Sequence, residues 1–277
     1  MEIARSIQEM KSLRHKYTGT VGLVPTMGFL HEGHLQLVRN SKKENPVTVV
    51  SIFVNPTQFA PNEDFKAYPR DLDRDLSMLE QVKTGIVFIP ESKDMYADGH
   101  NTWVDVQGLT AKLEGKSRPT HFRGVTTVCN KLFNIVQPHK AYFGQKDAQQ
   151  ALVIRKMVAD LNMNLEVIAC PTIREKDGLA MSSRNTYLTA SERLSATVLY
   201  RSLCLAGDMF AAGERDAGVI RKAMTGLISR EAEAKIDYVS IADIQTLDEV
   251  GTIEGKALVS LAVRLGKPRL IDNIILG

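Results

Sequence analysis

Two histidines, His31 and His34, stand three residues apart in the stretch Pro-Thr-Met-Gly-Phe-Leu-His-Glu-Gly-His at residues 25–34. The stretch lies between a short apolar run and a segment of helical spacing, so it is predicted to join a buried strand to a helix. Gly28 and Gly33 let the backbone approach a ligand closely, and the helix start offers unpaired N–H groups. This combination is typical of a phosphate-binding turn, in which each histidine could donate to a phosphate oxygen that gains charge during attack at an α-phosphorus.

Two other interpretations of His31 and His34 stay open on this stretch alone. Zinc is one, but the helical zinc pair of the HExxH motif is spaced i, i+4, whereas these histidines are one residue closer and no third ligand stands out. The other is purely structural, with a capped turn and two solvated histidines.

A second glycine-containing loop is the stretch Phe-Gly-Gln-Lys-Asp-Ala-Gln-Gln at residues 143–150. Lys146 lies beside Gly144 at a predicted strand end, where its charge could meet the β- or γ-phosphate of a nucleotide. Gln150, one helical turn further, could face the same cleft and orient a small polar acid. Asp147 fits an N-cap or first-turn position, for which a structural role is sufficient.

Three further polar stretches are candidates for binding. The Met-Ser-Ser-Arg stretch at residues 181–184 combines two hydroxyls with a guanidinium and could close over a triphosphate. Asn55 and Gln58 follow an apolar run and offer neutral amides, although loop amides commonly hold their own loop together. The Arg-Pro-Thr-His-Phe-Arg stretch at residues 118–123 precedes a predicted helix and is a reasonable place to receive a carboxylate.

The elements that must position these residues alternate along the chain. Five short apolar runs predict buried strands, and segments of helical spacing lie between them, starting with an N-terminal helix from Ile3 to Leu13. The runs are residues 21–24, 47–54, 86–89, 141–143 and 165–169. We therefore predict an α/β fold with a Rossmann-like, doubly wound parallel sheet, helices on both faces and ligands at the carboxyl ends of the strands.

The composition changes after Ile173, where residues 174–178 are polar and rich in turn-forming types. We predict a catalytic domain at residues 1–174, a smaller α+β domain at 175–277 and a hinge at about 175–185. In the second domain, two segments of helical character precede three β-rich runs. The helical segments are 191–211 and 217–234, and the β-rich runs are 236–241, 257–263 and 270–276.

The composition excludes several classes of function. The 277 residues are 44% hydrophobic and 24% charged, and the net charge of +3 is too small for a surface that binds nucleic acid or an anionic membrane throughout. The three cysteines are far apart, so neither a disulfide framework nor a CxxC metal site is expected. No apolar run approaches the roughly 18 residues of a membrane span. We therefore expect a cytoplasmic protein that is neither exported nor anchored.

Five stretches occur together in an order typical of one enzyme family. They are PTMGFLHEGH at 25–34, FVNPTQF at 53–59, RPTHFRGV at 118–125, FGQKDAQQ at 143–150 and LAMSSRN at 179–185. On these stretches the chain resembles the pantoate beta-alanine ligases, also called pantothenate synthetases, of the HxGH nucleotidyltransferase superfamily. The resemblance covers nearly all of the first domain and the hinge, whereas the C-terminal domain agrees in length and class but carries little diagnostic sequence.

The resemblance implies an ATP-dependent ligase. In that family ATP and (R)-pantoate first form pantoyl adenylate and release pyrophosphate, and the amine of beta-alanine then attacks the acyl carbon and expels AMP. ATP would be a co-substrate together with Mg²⁺, and a homodimer is the expected assembly. No covalent enzyme intermediate is needed, because positioning and charge stabilisation can supply most of the catalysis.

The resemblance also implies roles for individual residues. The catalytic groups would be His34, His31, Lys146 and Arg184. The ATP-binding residues would be Met27, Gly28, Phe29, Leu30, His31, Glu32, Gly33, His34, Gly144, Gln145, Lys146, Asp147, Ile173, Met181, Ser182, Ser183 and Arg184. The substrate-binding residues would be Gln58, Gln150 and Asn55, with Gln58 also near beta-alanine.

Several positions qualify this assignment. Gln145 stands where Glu is common in the family, and Ala148 where an aromatic residue is common. The family's hinge motif lacks the first lysine of the related KMSKS signature, and Ala180 occupies that place here. Asp73 and Asp75 are conceivable outer-shell partners of Mg²⁺, although a solvated helix face explains them at least as well.

Two alternative functions stay open at this point. One is a nucleotidyltransferase of the same superfamily, which retains the nucleotide in its product, since the HxGH motif alone does not separate the two reactions. The other is a nucleotide-binding regulator without turnover. The regulator predicts the loss of His34, Lys146 or Arg184, and all three are present.

Overall fold

The computed structural model of the chain describes residues 1–61 and 63–277. These residues divide into two units, Met1–Pro171 and Thr172–Gly277. Each unit has its own hydrophobic core, so each is described by itself. Among the described residues, no helix combines the length and the apolar character that crossing a bilayer requires.

Parallel strands form the sheet of the first unit. They are β1 (Glu2–Ala4), β2 (Val21–Thr26), β3 (Val47–Ile52), β4 (Ile86–Phe88), β5 (Lys140–Gly144) and β6 (Glu166–Cys170). The strand order is β1-β4-β3-β2-β5-β6, and every neighbouring pair runs parallel. The predicted Rossmann-like parallel sheet is therefore confirmed.

Helices cover both faces of this sheet. They are α1 (Ile7–Arg14), α2 (Glu32–Glu44), α3 (Leu72–Gln81), α4 (Ser92–Met95), α5 (Glu114–Ser117), α6 (His121–Val136) and α7 (Ala148–Asp160). In β2, Leu23 packs in one core with residues of α1, α6 and α7, whereas the next residue, Val24, packs in a second core with residues of α2 and α3. Successive side chains of a strand point to opposite faces, so a strand buried on both sides must be apolar throughout.

The N-terminal segment differs from the prediction. Ile3 lies in β1, which pairs with β4, and α1 begins only at Ile7. A capping box separates the two elements: the Ser6 hydroxyl accepts from the N–H of Glu9 at 3.2 Å, and the Glu9 carboxylate accepts from the N–H of Ser6 at 3.2 Å. The prediction of a helix from Ile3 was wrong because pairing with a distant strand, and not local periodicity, determines the conformation of this short edge segment.

The order of the strands creates a reversal beside β2. The chain moves from β2 to β3 and β4 on one side of the sheet, and then returns to place β5 and β6 on the other side. The loops that follow β2 and β5 therefore leave the carboxyl edge of the sheet at the point where the strand order reverses. In open parallel sheets, this switch point is where ligands bind.

The second unit is a three-stranded antiparallel sheet packed against helices. Its elements are α8 (Ala190–Ser195), α9 (Val198–Ala211), α10 (Ala217–Ile228), β7 (Ala234–Asp243), β8 (Ala257–Leu265) and β9 (Arg269–Leu276). The strand order is β7-β8-β9. Leu199 of α9 and Ile220 of α10 pack in one core with Val259 and Leu261 of β8. This confirms the predicted α+β class, although the helical segment predicted at 217–234 ends at Ile228.

Candidate functional site

The loop after β2 has a conformation that depends on glycine. Gly28 has a φ of +78° and Phe29 a φ of +49°, so both residues lie in the left-handed region. A Cβ atom at Gly28 would lie 3.0 Å from the Asp75 carboxylate and 3.0 Å from Ile52 Cγ2. The loop leads directly into α2, whose N-cap residue is His31. The sequence therefore brings the N-terminus of α2 to the carboxyl edge of the sheet, as a phosphate-binding turn requires.

His31 and His34 lie against each other at this helix start. Their ring centroids are 4.0 Å apart, and the backbone N–H of His31 donates to Nδ1 of His34 at 3.3 Å. Because Nδ1 accepts a hydrogen bond, a neutral His34 ring carries its proton on Nε2. Burial, and then the charges of His31 and Lys146, hold the pKa of His34 well below its ordinary value. At neutral pH His34 is therefore an uncharged donor with a fixed tautomer.

Lys146 reaches the same region from the loop after β5. It lies in a 3₁₀ turn, Gln145–Asp147, that precedes α7, and its Nζ is 3.5 Å from Oδ1 of Asp147. Its side chain is only 20% exposed, and its charge acts on His34. An added Cβ at Gly144 would meet no described atom within 4 Å, so the backbone beside Lys146 is open to a ligand. The structure thus brings His31, His34 and Lys146 together, from two loops on either side of the switch point.

Asn55 and Gln58 lie in the loop after β3. Gln58, at the end of the 3₁₀ turn Pro56–Gln58, donates from Nε2 to Sδ of Met27 at 2.8 Å, which links this loop to the loop after β2. Asn55 is 1% exposed and donates from Nδ2 to Oε1 of Gln58 and to the carbonyl of Gly124, each at 3.1 Å. The amide of Asn55 therefore fixes the orientation of the Gln58 side chain.

Arg118 and His121 support the same loop. Arg118, from the stretch predicted to receive a carboxylate of a ligand, binds the carboxylate of Glu63 within the chain, with two contacts of 2.5 Å. His121 Nδ1 lies 2.9 Å from the carbonyl of Gln58, and its Nε2 lies 3.2 Å from Nη1 of Arg118. Burial and the charge of Arg118 lower the pKa of His121 to about 4, so Nδ1–H of a neutral ring donates to Gln58. Arg123 instead stacks on Trp103, with 4.7 Å between guanidinium and ring.

Asp75 is a residue whose surroundings the sequence did not reveal. Its position on α3 suggested a solvated helix face, and for Asp75 this was wrong: the residue is 1% exposed, whereas Asp73 on the same helix is exposed. Its carboxylate accepts from the backbone N–H groups of Phe29 and Leu30, each at 2.7 Å. The contact joins residues that are more than forty positions apart in the chain, so local spacing carried no signal for it.

Ile173 and the Met-Ser-Ser-Arg stretch all belong to the second unit. Ser182 caps a 3₁₀ segment, Ser183–Tyr187, because its Oγ accepts from the N–H of Arg184 at 3.3 Å. Asn185 donates to the Glu175 carboxylate at 2.8 Å. The stretch therefore has a defined conformation within its own unit.

The polar residues predicted to form a linker are also held by this unit. Arg174 binds the carboxylate of Asp272 with contacts of 2.5 and 3.0 Å, and Asp272 is 2% exposed. Arg193 binds Glu175 at 2.8 Å and Asp177 at 2.6 Å. Residues 174–177 are thus tied by ion pairs to residues of the second unit.

Metal coordination was a competing interpretation of the histidine pair. Within residues 1–61 and 63–277, no group of three or more His, Cys, Asp or Glu side chains is arranged to hold a metal ion. Both oxygens of the Asp75 carboxylate already accept backbone N–H groups. The described residues therefore do not support zinc at His31 and His34.

The fold and the site together define a class of protein. A doubly wound parallel sheet carries a half-buried histidine pair, a lysine and a helix N-terminus at its switch point, and an α+β unit follows. These are features of Rossmann-like enzymes that bind a phosphorylated ligand at the carboxyl edge of the sheet. Comparison with known proteins narrows the class: residues 2–275 match the family model of pantoate-beta-alanine ligase, and the chain belongs to that family.

Individual relatives agree with this membership. The chain is 57% identical over 278 residues to a pantothenate synthetase of Acetivibrio thermocellus, with 99% of each chain covered. It is similar to the crystal structure of pantothenate synthetase from Thermus thermophilus, with a TM-score of 0.95, 44% identity and 99% of each chain covered. It is also similar to pantoate-beta-alanine ligase from Francisella tularensis complexed with beta-gamma ATP and beta-alanine, with a TM-score of 0.81, 35% identity and coverage of 99% and 97%.

Proposed function

We propose that this chain is an ATP-dependent ligase that condenses (R)-pantoate with beta-alanine to give pantothenate, AMP and pyrophosphate. The observation that carries the proposal is the half-buried His34, uncharged at neutral pH, beside Lys146 at the N-terminus of α2. Family membership and the relatives named pantothenate synthetase support the same reaction. They do not support the alternative nucleotidyltransferase, which would retain the nucleotide in its product.

In the first half-reaction, a carboxylate oxygen of pantoate attacks the α-phosphorus of ATP. A new P–O bond forms, the bond to the β-phosphate oxygen breaks, and pyrophosphate leaves with the electron pair. Charge grows on the phosphate oxygens during this step, and donors aimed at them lower the barrier without changing their own protonation. We assign this role to Nε2–H of His34 and to the ammonium of Lys146, with His31 and the N–H groups at the start of α2 beside them.

In the second half-reaction, the amine of beta-alanine attacks the acyl carbon of pantoyl adenylate. The C–N bond forms, the acyl–oxygen bond to AMP breaks, and the amine loses a proton. Gln58 and Gln150 are proposed to bind pantoate, because neutral amides match a small hydroxy acid without adding charge. Gln58 suits this role because its position is fixed: Asn55 and Met27 contact its side-chain amide, and His121 contacts its backbone carbonyl. Asn55 acts through Gln58.

We also propose that further residues of both loops, and residues of the second unit, bind ATP. Met27 to Gly33 and Gly144 to Asp147 would line the phosphate and nucleoside positions, and Ile173 with Met181 to Arg184 would contribute from the second unit. We propose that residues 175–185 act as a hinge, with Arg184 as the group that meets the triphosphate.

Mg²⁺ is proposed to enter as part of the ATP complex. Magnesium in such sites is held largely by phosphate oxygens and water, so few protein ligands are needed. The described residues form no cluster of three or more His, Cys, Asp or Glu side chains that could hold it. We further propose a cytoplasmic homodimer. The three free cysteines, with Cys204 exposed, suit a reducing compartment, and light scattering would measure the assembly directly.

Product analysis tests the proposed function. The purified chain should form AMP, pyrophosphate and pantothenate when ATP, pantoate and beta-alanine are all present. Exchange of labelled pyrophosphate into ATP should require pantoate but not beta-alanine, because the acid is activated before the amine attacks. Exchange that depends on beta-alanine, release of ADP, or a product that retains the adenylyl group would overturn the proposal.

A further inference from the structure

The carboxylate of Asp75 binds the backbone of the loop that carries the histidine pair. One oxygen accepts from the N–H of Phe29 and the other from the N–H of Leu30, both at 2.7 Å. Asp75 is 1% exposed, and it lies within α3, whose N-cap is a different residue, Asp71. The side chain is therefore not needed to cap its own helix and is directed wholly toward the loop.

The loop needs such a partner because its backbone is strained. Phe29 has a φ of +49°, a conformation that a residue with a Cβ atom rarely adopts, and it follows Gly28 at +78°. Such conformations persist only where surrounding contacts hold them, and they are common at functional sites. The hydrogen-bonded residues, Phe29 and Leu30, directly precede His31, so a shift of their peptides moves the start of α2 and both imidazoles.

Arg74, the neighbour of Asp75 on α3, also contacts this loop. Its guanidinium lies 5.1 Å from the centre of the Phe29 ring, and its Nη1 lies 3.8 Å from the Asp75 carboxylate. The arginine thus contacts the side chain of the strained residue while the aspartate binds its N–H. Burial raises the pKa of Asp75 above its ordinary value, and the two backbone hydrogen bonds oppose this shift. An ionised carboxylate is the form that accepts on both oxygens.

We propose that Asp75 is a positioning residue for adenylate formation, which holds residues 28–31 so that the His31–His34 pair meets the phosphates at the correct place. This inference rests on the proposed function of the site. Asp75 does not touch the reacting atoms, and it acts through the backbone of Phe29 and Leu30. Because charge stabilisation depends on accurate placement of the donors, its loss should affect the rate of adenylation more than the binding of ATP.

Variants at this position and a control on the same helix test the proposal. Asp75→Asn keeps the shape of the side chain but replaces one acceptor oxygen with an amino group that faces an N–H. Asp75→Ala removes both acceptors. Glu80→Gln removes an exposed carboxylate from the same helix, α3, and serves as the control. The measurements are the kcat and KM for ATP in pantoate-dependent pyrophosphate exchange, and amide hydrogen exchange at residues 29 and 30.

We expect Asp75→Asn to lower kcat by about 10-fold or more, with KM for ATP within about 3-fold of wild type. Amide exchange at residues 29 and 30 should accelerate while exchange in β2 and β3 is unchanged, a local effect that general destabilisation does not produce. Asp75→Ala should lower kcat further, and Glu80→Gln should match wild type.

Two results would overturn the inference while leaving the proposed function intact. One is that the wild-type enzyme is active and that Asp75→Asn has the same kcat and KM as Glu80→Gln. The other is a loss of activity accompanied by faster exchange throughout the first unit, which would make Asp75 a general stabiliser of the fold. Should Asp75→Ala fail to fold, the Asn variant alone decides between these outcomes. Failure of the wild-type exchange reaction would instead overturn the proposed function itself.

Discussion

The backbone N–H of His31 donates to Nδ1 of His34, with 3.3 Å between the two nitrogens. This contact fixes more than the rotamer of His34. It assigns the proton of the neutral ring to Nε2, the atom that is then available to donate to a ligand. The depressed pKa of His34 means that the ring acts at neutral pH as an uncharged donor with one defined direction.

Two substitutions at His34 separate the acceptor at Nδ1 from the donor at Nε2. In His34→Asn the amide oxygen can still accept from His31, but no donor extends to the Nε2 position. His34→Gln places an amide N–H near Nε2. We expect the Asn variant to lose about 10²- to 10³-fold in the rate of adenylation, and the Gln variant to stay within about 10-fold of wild type. Single-turnover kinetics with ATP and pantoate measure both rates, and equal losses would contradict the assignment of the donor.

Lys146 should influence the protonation of His34 as well as the reaction. Its positive charge disfavours a charged imidazole, so Lys146→Met should raise the pKa of His34. The depressed pKa of His34 also makes the stability of the folded chain depend on pH. The pKa of His34 is lower in the folded chain than in the unfolded chain. As the pH falls below about 6.5, the unfolded chain takes up a proton at this residue that the folded chain does not, so the free energy of unfolding decreases. The variant should make that decrease smaller.

An NMR titration of the imidazole nitrogens measures the pKa of His34 directly. Lys140→Met is a suitable control, because this lysine lies at the other end of β5 and pairs with Glu44 and Glu166. It should leave the titration of His34 unchanged. A downward or absent shift in Lys146→Met would show that the two groups do not interact as the structure indicates.

Asn55→Asp tests whether the Asn55 amide holds Gln58 in place. A carboxylate cannot donate to Oε1 of Gln58 or to the carbonyl of Gly124, so two buried acceptors lose their donor. The free energy of unfolding should fall by about 2 kcal/mol or more, and KM should rise for pantoate more than for ATP. Gln150→Leu is the comparison: it should raise KM for pantoate without this loss of stability. A urea midpoint of Asn55→Asp equal to that of wild type would exclude the proposed support.

Arg193→Met tests the ion pairs that hold the segment after residue 173. Removing the guanidinium breaks the ion pairs with Glu175 and Asp177. The exposed Lys176 between them should then become more accessible to a protease. Cleavage by trypsin after Lys176 should accelerate by about 5-fold, which corresponds to about 1 kcal/mol in the local opening equilibrium. Arg201→Met, which removes a largely exposed pair with Glu231, should leave cleavage at Lys176 unchanged. Equal cleavage of both variants would mean that the Arg193 pairs do not restrain the segment.

Several features of the fold follow from local patterns. Strands β2 and β3 are buried on both faces, so each is a mostly apolar run that can be recognised without any knowledge of its neighbours. The two histidines are three residues apart, so their spacing already indicates that both side chains can point to one side of the turn. Three of the five family motifs are likewise local, because they lie in the loops that directly follow β2, β3 and β5. These patterns were sufficient to predict the α/β class, to identify the family resemblance and to locate most of the candidate loops.

Other features depend on contacts between residues that are far apart in the chain. Asp75 meets Leu30 across 45 positions, and Arg118 meets Glu63 across 55. Both aspartates of α3 look alike in sequence, yet one is buried against a strained loop and the other faces solvent. Strand β1 forms only because β4 lies beside it. The strand order brings these distant segments to one edge of the sheet, and burial there sets the protonation of His34, because desolvation depends on what surrounds a group in space and not on its neighbours in the chain.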